Sequence, residues 1–92
     1  MGLLDNAEVA RRLAQLSGWE LEGSTIRREY SFPDFNGAIA FVDRVAGLAD
    51  AANHHPDIDI RYDKVTLALS THSAGGLTDK DFNLAQQVDA QG

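Results

Sequence analysis

The sequence predicts an α+β fold: a four-stranded antiparallel sheet with helices packed on one face. Three observations predict it. Residues 19–32 and 58–69 each alternate apolar and polar side chains about a central turn, the pattern of a β-hairpin. Three other segments repeat apolar residues at helical spacing. The two kinds alternate as helix, hairpin, helix, hairpin, helix, an order that stacks into two layers around one core. At 92 residues the chain is expected to form a single domain spanning 1–92.

The first helix opens on Asp5 as N-cap with Glu8 three residues on, and Val9, Leu13 and Leu16 share its inner face. Gly18 is its expected stop. In the first hairpin, Trp19 and Leu21 alternate with Glu20 and Glu22. After the Gly23–Ser24 turn, Ile26, Arg28, Tyr30 and Phe32 share one face, and Pro33 ends the strand. The second helix is expected from Asp34 to Ala52. Its buried stripe is read as Phe35, Ile39, Val42, Val45, Ala46 and Ala49, widened by Phe41 and Leu48. A stripe that wide can cover a sheet and also touch a second subunit. Pro56 disfavours helical geometry at His55, so the helix ends before it.

In the second hairpin, Ile58, Ile60 and Tyr62 alternate with Asp57, Asp59 and Arg61. A turn at Asp63–Lys64 leads into Val65, Leu67 and Leu69. Tyr62 and Trp19 are read as core. "THSAGG" is a loop, with Gly75–Gly76 as turn geometry rather than a phosphate cradle, because no G-K-[ST] follows. The last helix starts at Thr78. Asp81 closes a T-x-x-D box, Leu77 can staple onto Phe82, and Leu84, Ala85 and Val88 continue inward.

Composition narrows the function classes. A net charge of −6, with scattered basic residues, opposes binding to phosphate backbones, so no direct nucleic-acid partner is expected. The absence of cysteine excludes a disulfide framework and a Cys-type zinc site. No apolar run approaches the roughly 20 residues of a membrane span. "MGLLDNAEVARR" has neither the basic start nor the apolar centre of a secretion signal, so a cytoplasmic location is expected. A domain this short buries only about 60–65% of its unfolded surface, which makes self-association a natural source of extra stability.

The residues that carry chemistry cluster in "DAANHHPDIDIRY" and after it. Asp50 and His54 stand four apart near a helix end, where persistent helical geometry would let the carboxylate orient the imidazole. His55 follows in extended backbone. With the turn at Asp63–Lys64, residue 62 lies opposite 65 and His55 lies opposite His72. The expectation is therefore that His54, His55 and His72 converge. Asp81, at the start of the last helix, is a cap that can also serve a site.

The order Asp50, His54-His55-Pro56, Tyr62, His72, Asp81 resembles the motif of the pterin-4a-carbinolamine dehydratases. "GW" at 18–19, "FPDFNGAIAFVDRVAGLAD" and "LSTHSAGGLTDKDFNLA" read like segments of that family, over roughly residues 10 to 90. Asp50 stands where glutamate is frequent, Asn53 where some members have an acid, and Lys80 where some have an arginine. The resemblance implies dehydration of a 4a-hydroxytetrahydropterin to quinonoid dihydropterin and water, in support of tetrahydrobiopterin recycling. It implies no metal or organic cofactor, a homodimer or homotetramer, and a functional link to an aromatic amino acid hydroxylase. Dehydration needs one group to take a proton and another to give one, so His54 and His72 are assigned the proton transfers, in either order, and His55 substrate binding with a share in acid–base work. Asp50, Lys80 and Asp81 are assigned to binding or orientation.

Two rivals stand beside this. One is a non-catalytic dimerisation or assembly partner on the same fold, which an assay for carbinolamine dehydration separates. The other is a metal protein using Asp50, His54, His55 and His72, against which adjacent histidines rarely ligate one ion.

Overall fold

A computed structural model describes residues 2–91. The elements are α1 (Asn6–Leu13), β1 (Glu20–Glu22), β2 (Thr25–Ser31), α2 (Phe35–Ala52), β3 (Asp57–Arg61), β4 (Lys64–Leu69), a 3₁₀ turn (His72–Ala74) and α3 (Asp79–Gln91). The strands form one antiparallel sheet in the order β1-β2-β4-β3, so the two hairpins join through β2 and β4 at its centre. This is the predicted α+β architecture. No helix among the described residues is long and apolar enough to cross a membrane.

Alternation decides which face the sheet buries. Ile26, Val65, Leu67 and Leu69 are fully buried and pack with Phe41 and Val45 of α2 and with Leu84 and Val88 of α3 in one cluster. The other face is polar. Glu20, Arg27, Glu29, Asp59, Arg61 and Thr66 line an open trough there.

The helices are capped as their sequences suggest. The Asp5 carboxylate accepts the Glu8 amide at 2.8 Å, and the Asp34 carboxylate accepts the Gly37 amide at 2.7 Å. The Arg11 and Arg12 guanidiniums bonded to Glu8 hold its carboxyl down at about 2. Two helices differ from expectation. α1 stops at Leu13, because Gln15 and Leu16 bond back three residues instead of four and tighten the chain into a turn before Gly18. The buried stripe of α2 is Ala38, Phe41, Val45 and Ala49, while Phe35 and Ala46 are exposed. Phe41 sets this rotation: its ring sits 4.7 Å from Tyr30 and 5.0 Å from Phe32, drawing that edge of the helix onto β2.

The second hairpin corrects the expected register. Its turn is Tyr62–Asp63, with Tyr62 in the left-handed region at φ 55°, and Asp63 is tied in place where its carbonyl accepts the Phe32 amide at 2.9 Å. Arg61 therefore pairs with Lys64 and Asp57 with Ala68. The ladder is displaced by two residues from the expected one and ends at Asp57 and Ala68, so His72 does not lie opposite His55. Tyr62 is 70% exposed, not core, because the turn lifts it off the sheet.

Trp19 is buried as expected, and its partner is a carboxylate. Asp89 on α3 accepts Trp19 Nε1–H at 3.0 Å, Tyr30 O–H at 2.7 Å and Arg28 Nη1–H at 3.0 Å. Burial first, then the Asp89 carboxylate, pushes the Tyr30 phenol above its ordinary value. This cluster fastens the end of α3 to β2 and to the segment before β1. Asp89→Ala strands the Trp19 and Tyr30 donors, while Arg28 keeps the Ser17 carbonyl, and is expected to cost about 2 kcal/mol. Urea unfolding checks it: the midpoint should fall with the slope unchanged.

Candidate active site

The end of α2 places the histidine pair. Ala52 is the last helical residue, and Asn53 follows in the left-handed conformation at φ 51° and ψ 41°. The Asn53 amide bonds to Asp50 O, and the His54 amide bonds to Ala49 O, both at 3.1 Å. These two bonds form a Schellman turn, and asparagine is one of the few residues that accepts its left-handed position readily. The turn ends helical geometry before His54, so the expected contact between Asp50 and His54 does not form.

The partners are exchanged instead. Asp50 Oδ1 meets His55 Nε2 at 2.9 Å, and both side chains are well exposed. His54 points inward and its Nε2 lies 2.6 Å from Asp81 Oδ1. The His54 side chain is 10% exposed and that of Asp81 is 0%.

Asp81 holds its position through α3. Its Oδ2 accepts the Thr78 amide at 2.9 Å, which is half of the predicted capping box. The same oxygen accepts the Thr71 hydroxyl at 2.8 Å. Thr71 Oγ1 also lies 2.9 Å from Thr78 Oγ1, which accepts the Lys80 amide at 3.3 Å. Asp81 thus caps its helix with one oxygen and meets His54 with the other. Thr78 is read from the sequence only as a cap, and Thr71 was missed altogether. The T-x-x-D spacing signals the first, while no local pattern signals the second.

His72 begins the 3₁₀ turn directly after Thr71, and its ring is exposed. The loop closes on itself: the Thr71 amide bonds to Gly76 O at 2.9 Å, and Gly75 turns the chain at φ 79°. His72 is thereby held one residue from the Asp81 network, though not across the hairpin from His55. Lys80 is exposed in the first turn of α3. With Thr71, Ser73, Ala74, Thr78 and Asp79 it lines a hollow of about 280 Å³, whose wall includes none of the histidine side chains. Among the described residues, no three His, Asp or Glu side chains gather closely enough to hold a metal ion.

The arrangement is an acid–base pair with one protected side. His54 faces a buried carboxylate on one nitrogen and keeps the other available. A second imidazole, His55, is steadied by Asp50 at the surface, and a third begins the adjoining turn.

Comparison with known proteins gives the family of the chain. The model of the family described as pterin 4 alpha carbinolamine dehydratase matches residues 2–91. A protein of Roseiflexus castenholzii named "Putative pterin-4-alpha-carbinolamine dehydratase" is 61% identical over 87 residues, covering 95% of this chain and 94% of that one. One of the same name from Acidobacterium capsulatum is 50% identical, covering 98% of both. Among solved structures, a transcriptional coactivator/pterin dehydratase from Brucella melitensis superposes with a TM-score of 0.90 at 34% identity, covering 95% of both chains. A pterin dehydratase-like protein identified as a RuBisCO assembly factor in the alpha-carboxysome shares the fold, with a TM-score of 0.68 at 23% identity over 80% of this chain and 88% of that one. With a family model spanning almost every residue and relatives above half identity over nearly the full length, this chain belongs to the pterin 4 alpha carbinolamine dehydratase family.

Proposed function

We propose that this protein catalyses dehydration of a 4a-hydroxytetrahydropterin to quinonoid dihydropterin and water. The observation that carries the reading is the buried Asp81–His54 pair beside the His-His-Pro turn. The reaction removes a proton from N5, forms the C4a=N5 double bond and expels the C4a hydroxyl, which leaves as water once protonated. One group must take a proton and another must give one. Imidazole does both near neutral pH.

His54 and His72 are assigned the proton transfers. His55, steadied by Asp50, binds substrate and shares in the acid–base work. Lys80, on the rim of the hollow beside Thr71, is assigned to binding. The substrate's origin is a hydroxylation that uses a tetrahydropterin, which places an aromatic amino acid hydroxylase upstream and pterin recycling as the role.

The same reading includes self-association. β3 is an edge strand exposed at every position, and Ile58 and Ile60 on its helix-facing side remain open to solvent near the exposed Tyr62. An edge of this kind is a template for pairing, and a second copy of the chain as dimer or tetramer is the occupant proposed. This surface also favours the second reading, a non-catalytic assembly partner. Stopped-flow absorbance with chemically generated 4a-hydroxytetrahydropterin separates the two. The enzyme reading expects the decay to accelerate in proportion to protein concentration, and a decay equal to that of buffer leaves only the assembly role.

A further inference from the structure

Thr71 has no place in the motif that identifies the family segment, yet it is buried with its hydroxyl against the carboxylate that faces His54. We infer that Thr71 is a positioning residue. Its hydroxyl fixes the Asp81 carboxylate, and through it the tautomer of His54, so that Nδ1 is the atom at which His54 exchanges protons. This rests on the dehydratase reading for the meaning of that exchange, but not for the wiring itself.

The donor inventory gives the direction of each bond. The Lys80 amide can only donate, and it occupies Thr78 Oγ1. The Thr71 hydroxyl has one proton, and Asp81 Oδ2, which can only accept, takes it; the Thr78 hydroxyl is therefore the donor to Thr71 Oγ1, 2.9 Å away. The Thr71 hydroxyl donates in turn to Asp81 Oδ2, which the Thr78 amide also reaches. With two donors on Oδ2, the carboxylate cannot rotate without abandoning both. Oδ1 is thereby aimed at His54 Nε2. A carboxylate has only acceptors, so Nε2 supplies the proton. In the neutral ring the lone pair is then on Nδ1, which has no hydrogen bond among the described residues. The nitrogen that reacts is set by the bond the other one makes.

Nitrogen-15 spectra of the full chain, labelled at histidine and recorded at alkaline pH, test this without substrate. The expected result is His54 wholly as the Nε2–H form. Thr71→Val, which keeps the shape and removes the hydroxyl, should convert part of it to the Nδ1–H form. It should also lower kcat about tenfold, the worth of one lost hydrogen bond, with KM within about twofold. Thr71→Ser should restore both. A wild-type His54 protonated on Nδ1 overturns the inference, whether or not Thr71→Val folds. So does a Thr71→Val protein with unchanged tautomer and kcat. A tautomer that responds to Thr71→Val in a protein that does not accelerate dehydration supports the wiring and defeats the dehydratase reading instead.

Discussion

Replacing His54 with alanine is expected to slow carbinolamine dehydration by about 10²-fold or more, the usual worth of a positioned acid–base group. Among the described residues, His54 alone of the three histidines has a ring bonded to a fully buried carboxylate. Its loss removes a proton acceptor and leaves Asp81 Oδ1 without its partner. The second effect costs stability, about 1–3 kcal/mol for a buried group left unpaired. The rate must therefore be read on protein shown to be folded by its urea midpoint. His55→Ala offers the contrast. Its pair with Asp50 is exposed, and exposed pairs contribute about 0–1 kcal/mol, so stability should hardly change. Equal rates for wild type and His54→Ala would remove His54 from the mechanism.

Asp81→Asn is expected to cost a similar factor, between about 10² and 10⁴, by a different route. The amide keeps the carboxylate's shape but has one donor end and one acceptor end. The Thr71 hydroxyl and the Thr78 amide both require an acceptor, so the amide oxygen stays on their side. The amide NH₂ then faces His54 Nε2, which must accept, and the ring proton moves to Nδ1. The imidazole remains in place with its lone pair turned inward. Because the two residues act as a unit, His54→Ala combined with Asp81→Asn should be no slower than His54→Ala alone. Rate losses that multiply in the double variant would show that Asp81 acts apart from His54.

The sequence carries the sheet's faces but not its register. Ile58 and Ile60 share a face with Val65, Leu67 and Leu69 in the observed ladder and also in the expected one. A slip of one residue would turn every side chain over, whereas a slip of two leaves each on its own face. Hydrophobic pattern therefore cannot separate the two registers. The turn does so, and Tyr62 in left-handed geometry is not a residue whose type announces that choice. The His72–His55 pairing fell with the register.

The histidine partners follow the same logic. Pro56 correctly bounds the helix, but a Schellman turn at Asn53 decides where the next two side chains go. An asparagine ahead of His-His-Pro is the legible trace of that turn, and it redirects Asp50 from His54 to His55. Asp81 was legible as a cap because the T-x-x-D spacing is local. Asp89 was not, since its donors Trp19, Arg28 and Tyr30 lie 70, 61 and 59 residues away and meet it only in the folded chain.

On the dehydratase reading, the buried Asp81–His54 pair and the imidazoles of His55 and His72 serve one pterin. Titrating histidine-labelled protein with a stable dihydropterin, followed by the imidazole resonances, tests it most directly. All three rings should shift together and saturate with one dissociation constant. A His54 resonance that stays fixed while the pterin binds elsewhere, or no saturable binding at all, would contradict it.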